Sequence, residues 1–265
     1  MSIRTAAAHR NLLYLLSQRE LRTRYKRSLL GWLWSLLNPL VQMAIFSVIF
    51  LYVFVQKAPV GDPSGLESFP LYFLCGFIPF NFFSLSVGVS IGTVQGGASL
   101  IKKVAFPHEH LVLSVVFAQF VTVLIELGVL TVAMLIAGNM VLPWLPVLFV
   151  IMVLLAIFST GVALLLASAN VYFNDVTYLW AIAAQLLFYA TPVIWDPESV
   201  GEPWLTNIAS WLPTGAFVMA IHEVMYDLHM PSLARFAQLT VYAAVSLAIG
   251  AWGFNRLSPK FAEVL

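Results

Sequence analysis

A few clustered charges separate long stretches that carry none. Ser28–Gln56 has no charged side chain, nor has Ser68–Ile101, nor the 48 residues from Leu127 to Asn174. About 20 residues of α-helix cross the hydrocarbon core of a bilayer. Each of the first two runs therefore accommodates a span, and the third is twice what one span needs. Gly138-Asn139 and Pro143 supply the turn that divides it. The pattern predicts spans at 31–55, 69–95, 111–137, 145–169, 177–195 and 236–255. Trp32 and Trp34 lie at one end of the first and Tyr52 at the other, where aromatic belts belong. After the second span the sequence SIGTVQGGASLIKKVAFPHEH turns glycine-rich and then basic, so the chain leaves the membrane near Gln95. Pro107 suits the first turn of the next helix.

The segment 196–235 admits two solutions. Pro203–His222 is uncharged but broken by Asn207, Pro213 and Gly215. It either crosses or dips in and returns as two short helices, which membranes tolerate where protein covers the broken backbone. Charge sorting favours the second. With six spans, eleven of the thirteen Lys and Arg fall on one side, and the other side keeps seven of the twelve acids. A seventh span would place Arg256 and Lys260 outside and the acid-rich 223–235 loop inside. The expected fold is an all-α integral membrane protein, a single transmembrane domain over 1–265. It has six spans, cytoplasmic termini and re-entrant outer helices at 198–222 between spans five and six.

Composition agrees: 61% of residues are apolar and 9% charged, against about 25% charged in soluble domains. The N-terminal stretch is interrupted by Arg4, His9 and Arg10, unlike a cleavable signal. The single cysteine, Cys75, rules out an internal disulfide.

Residues 1–28 read as an amphipathic helix at the membrane surface. Arg19–Arg27 carries five cations and one anion, with Arg19, Arg22 and Lys26 on one side and Tyr14, Leu21 and Tyr25 on another. One reading is a topology anchor held by anionic headgroups. The other is a basic cluster of Arg19, Arg22, Arg24, Lys26 and Arg27 that also receives a substrate phosphate.

Candidate chemistry is sparse. No phosphate-cradling G-x-x-x-x-G-K-[ST] occurs, so any ATP and Mg would be bound by a partner chain. No catalytic site is expected, and no metal site. In Pro-His108-Glu109-His110 the two imidazoles are two residues apart and diverge on a helix, and Glu109 suits a helix N-terminus. Glu126 is the one acid deep within a span, a functional candidate by default. With no cation in another span to meet it, a protonated or hydrogen-bonded packing role is favoured. Asn170 and Asp175 read as turn and cap residues, with contact to an ATPase as the alternative. Nothing points to nucleic acid.

Four stretches together resemble the permease subunits of bacterial ATP-binding-cassette exporters of cell-surface polysaccharides, the group that handles O-antigen, capsule, teichoic acid and galactan. They are RELRTRYKRSLLGWLWSLLNPL at 19–40, SLIKKVAFP at 99–107, SANVYFNDVTYL at 168–179 and FNRLSPKFAEVL at 254–265. The resemblance implies a bacterial inner-membrane protein working as a pair of identical permeases above two ATPase subunits. It also implies a coupling loop or helix at 98–108, with Ser99, Leu100, Ile101, Lys102, Lys103 and Phe106 against the ATPase. The helices at 198–222 would act as a gate. The substrate would be a glycan on a polyprenyl diphosphate, passing aromatic side chains such as Trp32, Trp34, Phe188, Tyr189 and Trp195. Gly96-Gly97-Ala98 and His108 depart from the usual pattern beside the coupling stretch. Two other classes fit less well: an exporter of drugs or small lipids, which the basic collar disfavours, and a membrane-embedded glycan-processing enzyme, which would need clustered acids or His and Arg at one face.

Overall fold

The computed structural model describes residues 59–102 and 106–264, with scattered positions between 15 and 49. The surface helix at 1–28 with its basic cluster, and the span at 31–55 with Trp32 and Trp34, lie outside the described residues apart from those positions. Lys103 lies outside them too.

Every regular element among the described residues is helical. The main ones are α1 (Phe69–Ile91), α2 (Glu109–Ile136), α3 (Leu145–Asn170), α4 (Val176–Ala190), α5 (Pro203–Trp211), α6 (Pro213–Met225) and α7 (Leu233–Leu257). Four of them, α1, α2, α3 and α7, are long and apolar enough to cross a bilayer, and α5 with α6 would make a fifth crossing if the two form one broken span. The protein is a multi-pass membrane protein.

α1 is the hub. It is apolar on all sides, as a helix surrounded by protein should be, and Phe73, Cys75, Val87 and Ile91 are inaccessible to solvent. It packs on α2, α3, α4 and α6. Aromatic rings fill the seams: Phe82 meets Phe120 of α2 at 6.0 Å, and Phe83 stacks on Phe158 of α3 at 5.4 Å. At Gly76 an added Cβ would stand 3.1 Å from both the His222 ring and the Val193 backbone. A bare backbone there lets α6 and the 191–195 turn close onto α1.

α3 and α7 form the most intimate pair. A Cβ at Gly250 would collide with the Gly161 carbonyl, and one at Gly161 would collide with the Ser246 backbone. Ser246 Oγ donates to the Phe158 carbonyl at 2.8 Å. Such small-residue contacts allow backbones to approach where lipid offers no hydrophobic drive for association.

The helix limits depart from the sequence expectation where backbone chemistry overrides hydropathy. The second predicted span, 69–95, is helical only to Ile91; the chain turns at Gly92, resumes over Thr93–Gly96, and turns again at Gly97 into Ala98–Ile101. α2 begins at Glu109, so Pro107 precedes the helix instead of occupying its first turn. The fifth predicted span, 177–195, stops at Ala190. Thr191 is extended (φ −83°, ψ 137°) because Pro192 follows it and disfavours helical backbone in the preceding residue. The same rule applies at Leu212 before Pro213, where α5 and α6 bend by 97°. Gly215 permits the fold: a Cβ there would strike the Ala209 carbonyl.

A leucine at Gly250 must separate α7 from α3. Overpacking of this kind costs about 1–3 kcal/mol or more. We expect Gly250→Leu to lower the melting midpoint by several degrees, followed by size-exclusion fluorescence after heating in detergent. Gly128→Leu, where a Cβ meets open space, should melt as wild type.

Candidate functional sites at the two ends of the bundle

Three of the four sequence stretches singled out above converge at the end of the bundle where α1 finishes. α1 and α3 meet there through a polar knot. Asn170, 2% exposed, donates through Nδ2 to the Ile91 carbonyl (3.2 Å) and to Gln95 Oε1 (3.0 Å). Gln95 Nε2 returns bonds to the Asn170 carbonyl (2.9 Å) and Asn174 Oδ1 (2.7 Å). Thr177, in the first turn of α4, donates to Asn170 Oδ1 at 3.2 Å. One amide thus joins the end of α1, the α3–α4 turn and the start of α4. The C-terminal stretch closes the same region. Phe261 is fully buried against Phe254 (5.4 Å), Tyr172 (6.3 Å) and His108 (6.1 Å). The Tyr172 hydroxyl donates to the Leu257 carbonyl at 3.1 Å. The terminal helix Phe261–Val264 touches the short helix Ala98–Ile101.

That short helix carries the backbone of Ser99, Leu100 and Ile101, with Ser99 and Lys102 exposed. Phe106 is half-buried, edge-on to His108 at 5.5 Å. Burial holds the His108 imidazole below its ordinary pKa, with Glu109 pulling the other way. His108 packs with the aromatic cluster, whereas His110 bonds through Nδ1 to the Pro107 carbonyl at 3.1 Å. Glu126 is half-buried midway along α2.

The other end is built around α4, which buries none of its residues. It is held to α1 by the Trp180 indole, which donates to the Ser84 carbonyl at 3.3 Å, and by Phe188, which packs on Phe80 (5.3 Å) and Phe77 (6.3 Å). The turn after α4 is pinned to the start of α6 by a buried 2.7 Å hydrogen bond between the Thr191 and Thr214 hydroxyls. Trp195 then folds back, its indole donating to the Tyr189 carbonyl at 3.1 Å. Tyr189 and Trp195 join Trp204 and Ile208 of α5 around a mostly apolar hollow of about 410 Å³. Of the three aromatics expected together from the sequence in this region, Tyr189 and Trp195 line this hollow and Phe188 braces it from behind, its ring 5.5 Å from Tyr189.

On the opposite side of α5 lies a larger cleft, about 1040 Å³, between α5, α6, the start of α7 and the 59–62 loop. Its floor is ordered by Tyr72, which stacks on His222 at 4.1 Å, and by Tyr226, whose hydroxyl reaches the Pro59 and Leu66 carbonyls at 2.7 and 2.9 Å. Its wall is a clamp on α5. The break at Pro213 leaves the last carbonyls of α5 without helical partners. Gln238 Nε2 donates to the Ser210 carbonyl (2.8 Å) and Tyr242 to the Trp211 carbonyl (2.7 Å). Arg235 supports Gln238 at 3.1 Å and pairs with Glu223 at 3.9 Å.

Sequence reasoning did not find the Asn170 knot, Trp204 or the clamp. The signal for the clamp was present: Arg235, Gln238 and Tyr242 form a polar stripe at i, i+3 and i+7 on one face of α7.

The described residues thus form a helical membrane body with short broken helices at one end and a folded-back helix pair at the other. The chain belongs to the ABC-2 type transporter family, whose model matches residues 11–226. It is similar to the O-antigen export system permease protein RfbA of Myxococcus xanthus, 28% identical over 98% of both chains. A Klebsiella pneumoniae protein of the same name is 26% identical, over 96% of this chain and 95% of its own. The polysialic acid transport protein KpsM of Escherichia coli is 23% identical over 88% of each.

Replacing Asn170 with leucine removes the Nδ2 bonds to the Ile91 carbonyl and Gln95 Oε1, and a buried group left unsatisfied costs about 1–3 kcal/mol. We expect Asn170→Leu to accelerate hydrogen exchange at 92–97 and 174–178 while leaving α2 unchanged, as read by mass spectrometry.

Proposed function

We propose that this chain is the channel-forming permease subunit of an ATP-binding-cassette exporter of polysaccharide. The observation that carries this reading is the likeness to export permeases along nearly the whole of both chains, not along one motif. Two copies would stand side by side, with the unburied α4 helices and the Tyr189–Trp195–Trp204 hollows facing the path. Six spans, both termini in the cytoplasm and α5–α6 as a re-entrant outer gate fit the charge sorting. Two ATPase subunits, binding ATP and Mg, would dock against Ala98–Ile101. The basic cluster at 19–27 would meet the diphosphate of a lipid-linked glycan at the inner face of the cytoplasmic membrane.

The polysaccharide reading is favoured over drugs or small lipids by the basic cluster at 19–27 and by the export permeases matched along both chains. ATP binding below would rock the protomers through the coupling segment, a rigid-body change of the kind used by transporters.

Removing the chain from its host should abolish a surface glycan and leave lipid-linked glycan inside, visible on blots of whole cells and of permeabilised cells. Leu100→Asp with Ile101→Asp should fail to restore export although the protein inserts normally. Restored export and unchanged ATPase stimulation would remove this segment from the coupling path.

The basic cluster provides a separate check. A charge-assisted contact contributes about 1.5–3 kcal/mol, so losing one weakens binding roughly tenfold or more. Arg22→Gln with Lys26→Gln should therefore cut glycan-stimulated ATPase activity with assembly intact. Wild-type export in that variant would leave these charges as a topology anchor only.

A further inference from the structure

After α7 ends at Leu257, one tight turn, Ser258–Lys260, leads into the terminal helix Phe261–Val264. In this tail Pro259, Lys260 and Val264 are exposed, yet Phe261 between them is fully withdrawn from solvent. Its ring meets three others from separate parts of the chain. They are Phe254 of α7 (5.4 Å, edge-on), Tyr172 of the α3–α4 turn (6.3 Å) and His108 just before α2 (6.1 Å). The Tyr172 hydroxyl ties its turn to the end of α7 by donating to the Leu257 carbonyl at 3.1 Å. His108 in turn meets Phe106 edge-on at 5.5 Å, and the terminal helix itself touches the short helix Ala98–Ile101.

The short helix needs such a seat. Four residues make about one turn and have no helical stability of their own. The segment therefore passes on a displacement only as far as its surroundings hold it. Coupling between distant sites is carried by chains of packed side chains. One such chain runs from Phe106 through His108 and Phe261 to Phe254, and so into α7. At its far end α7 holds the last carbonyls of α5 through Gln238 and Tyr242. We propose that Phe261 is a positioning residue for energy coupling: it seats the Ala98–Ile101 segment on the ends of α3 and α7, so that a displacement imposed there by the ATPase reaches α7 and the helix it clamps. The proposal rests on the reading of Ala98–Ile101 as the ATPase-facing segment and gives the C-terminal stretch its part in that reading.

The test follows the full chain with its ATPase partner in nanodiscs by hydrogen exchange and mass spectrometry, without nucleotide and with ATP and Mg trapped by vanadate. Trapping should change exchange at 98–102 and at 203–212 in the wild type. Phe261→Leu should keep the change at 98–102 and shrink that at 203–212 at least threefold, whereas Phe261→Tyr, which keeps the ring, should retain both. Phe261→Met takes the place of the leucine variant if the latter does not assemble, as size-exclusion chromatography shows. Lost packing alone would raise exchange in both nucleotide states and leave their difference intact. A response at 203–212 in Phe261→Leu equal to wild type, its equal loss in Phe261→Tyr, or its absence from the wild type would overturn the proposal. No change at 98–102 in the wild type would instead remove the ATPase-facing reading of that segment, and the proposal with it.

Discussion

A backbone N–H or C=O in hydrocarbon has no water to bond, so every interruption of a membrane helix must be covered by protein. Three breaks among the described residues have polar side chains gathered at them. Where α1 ends, Asn170 takes the Ile91 carbonyl. Where α4 ends, Thr191 and Thr214 satisfy each other's hydroxyls inside the turn. Where α5 ends, Gln238 and Tyr242 take the Ser210 and Trp211 carbonyls. These breaks are where the candidate functional surfaces among the described residues lie.

This arrangement connects the two ends. α1 runs between them, packed on nearly every side, and close-packed interiors have little compressibility. At one end it is tied through Asn170 to the first turn of α4, and at the other α4 leads into the Thr191 turn that pins α6. A displacement of the short helix at Ala98–Ile101 therefore has α1 and α4 as two parallel struts toward the aromatic hollow. In the proposed export cycle the struts would carry the motion of the ATPase; the hydrogen bonds at their ends are what such a motion would have to preserve or exchange.

The long apolar helices were legible because apolar runs of this length have no soluble explanation, and α2, α3 and α7 lie within a few residues of their expected limits. Hydropathy failed at helix ends. The run through Thr191-Pro192 stays apolar to Trp195, so composition extended the fifth span past a proline whose steric effect stops the helix. Asn170 was read as an ordinary turn residue because its partners, Ile91 and Gln95, are some 75–79 positions away. The cleft left no local trace either. Its lining comes from positions 59 to 242, and only the polar stripe on α7 marked one wall in advance. Of the aromatics chosen from the sequence, Tyr189 and Trp195 meet around one hollow because the Thr191 turn folds the chain back, a consequence of backbone geometry and not of spacing.

The hollow and the cleft share α5 as their common wall. Trp204 and Ile208 face the apolar hollow, while Ser210 and Trp211 face the larger cleft. A nine-residue helix is too short to hold its own conformation in isolation. It is fixed by Gly215, which lets α6 fold against it, and by the clamp from α7 on its last carbonyls. Any shift of α7 along α3 that released Gln238 would free α5 and reshape both spaces at once. The close contact of α3 and α7 at Gly161 and Gly250 resists that shift. The α3–α7 contact at these glycines thus supports the helix that carries the clamp on α5, the wall between the two spaces.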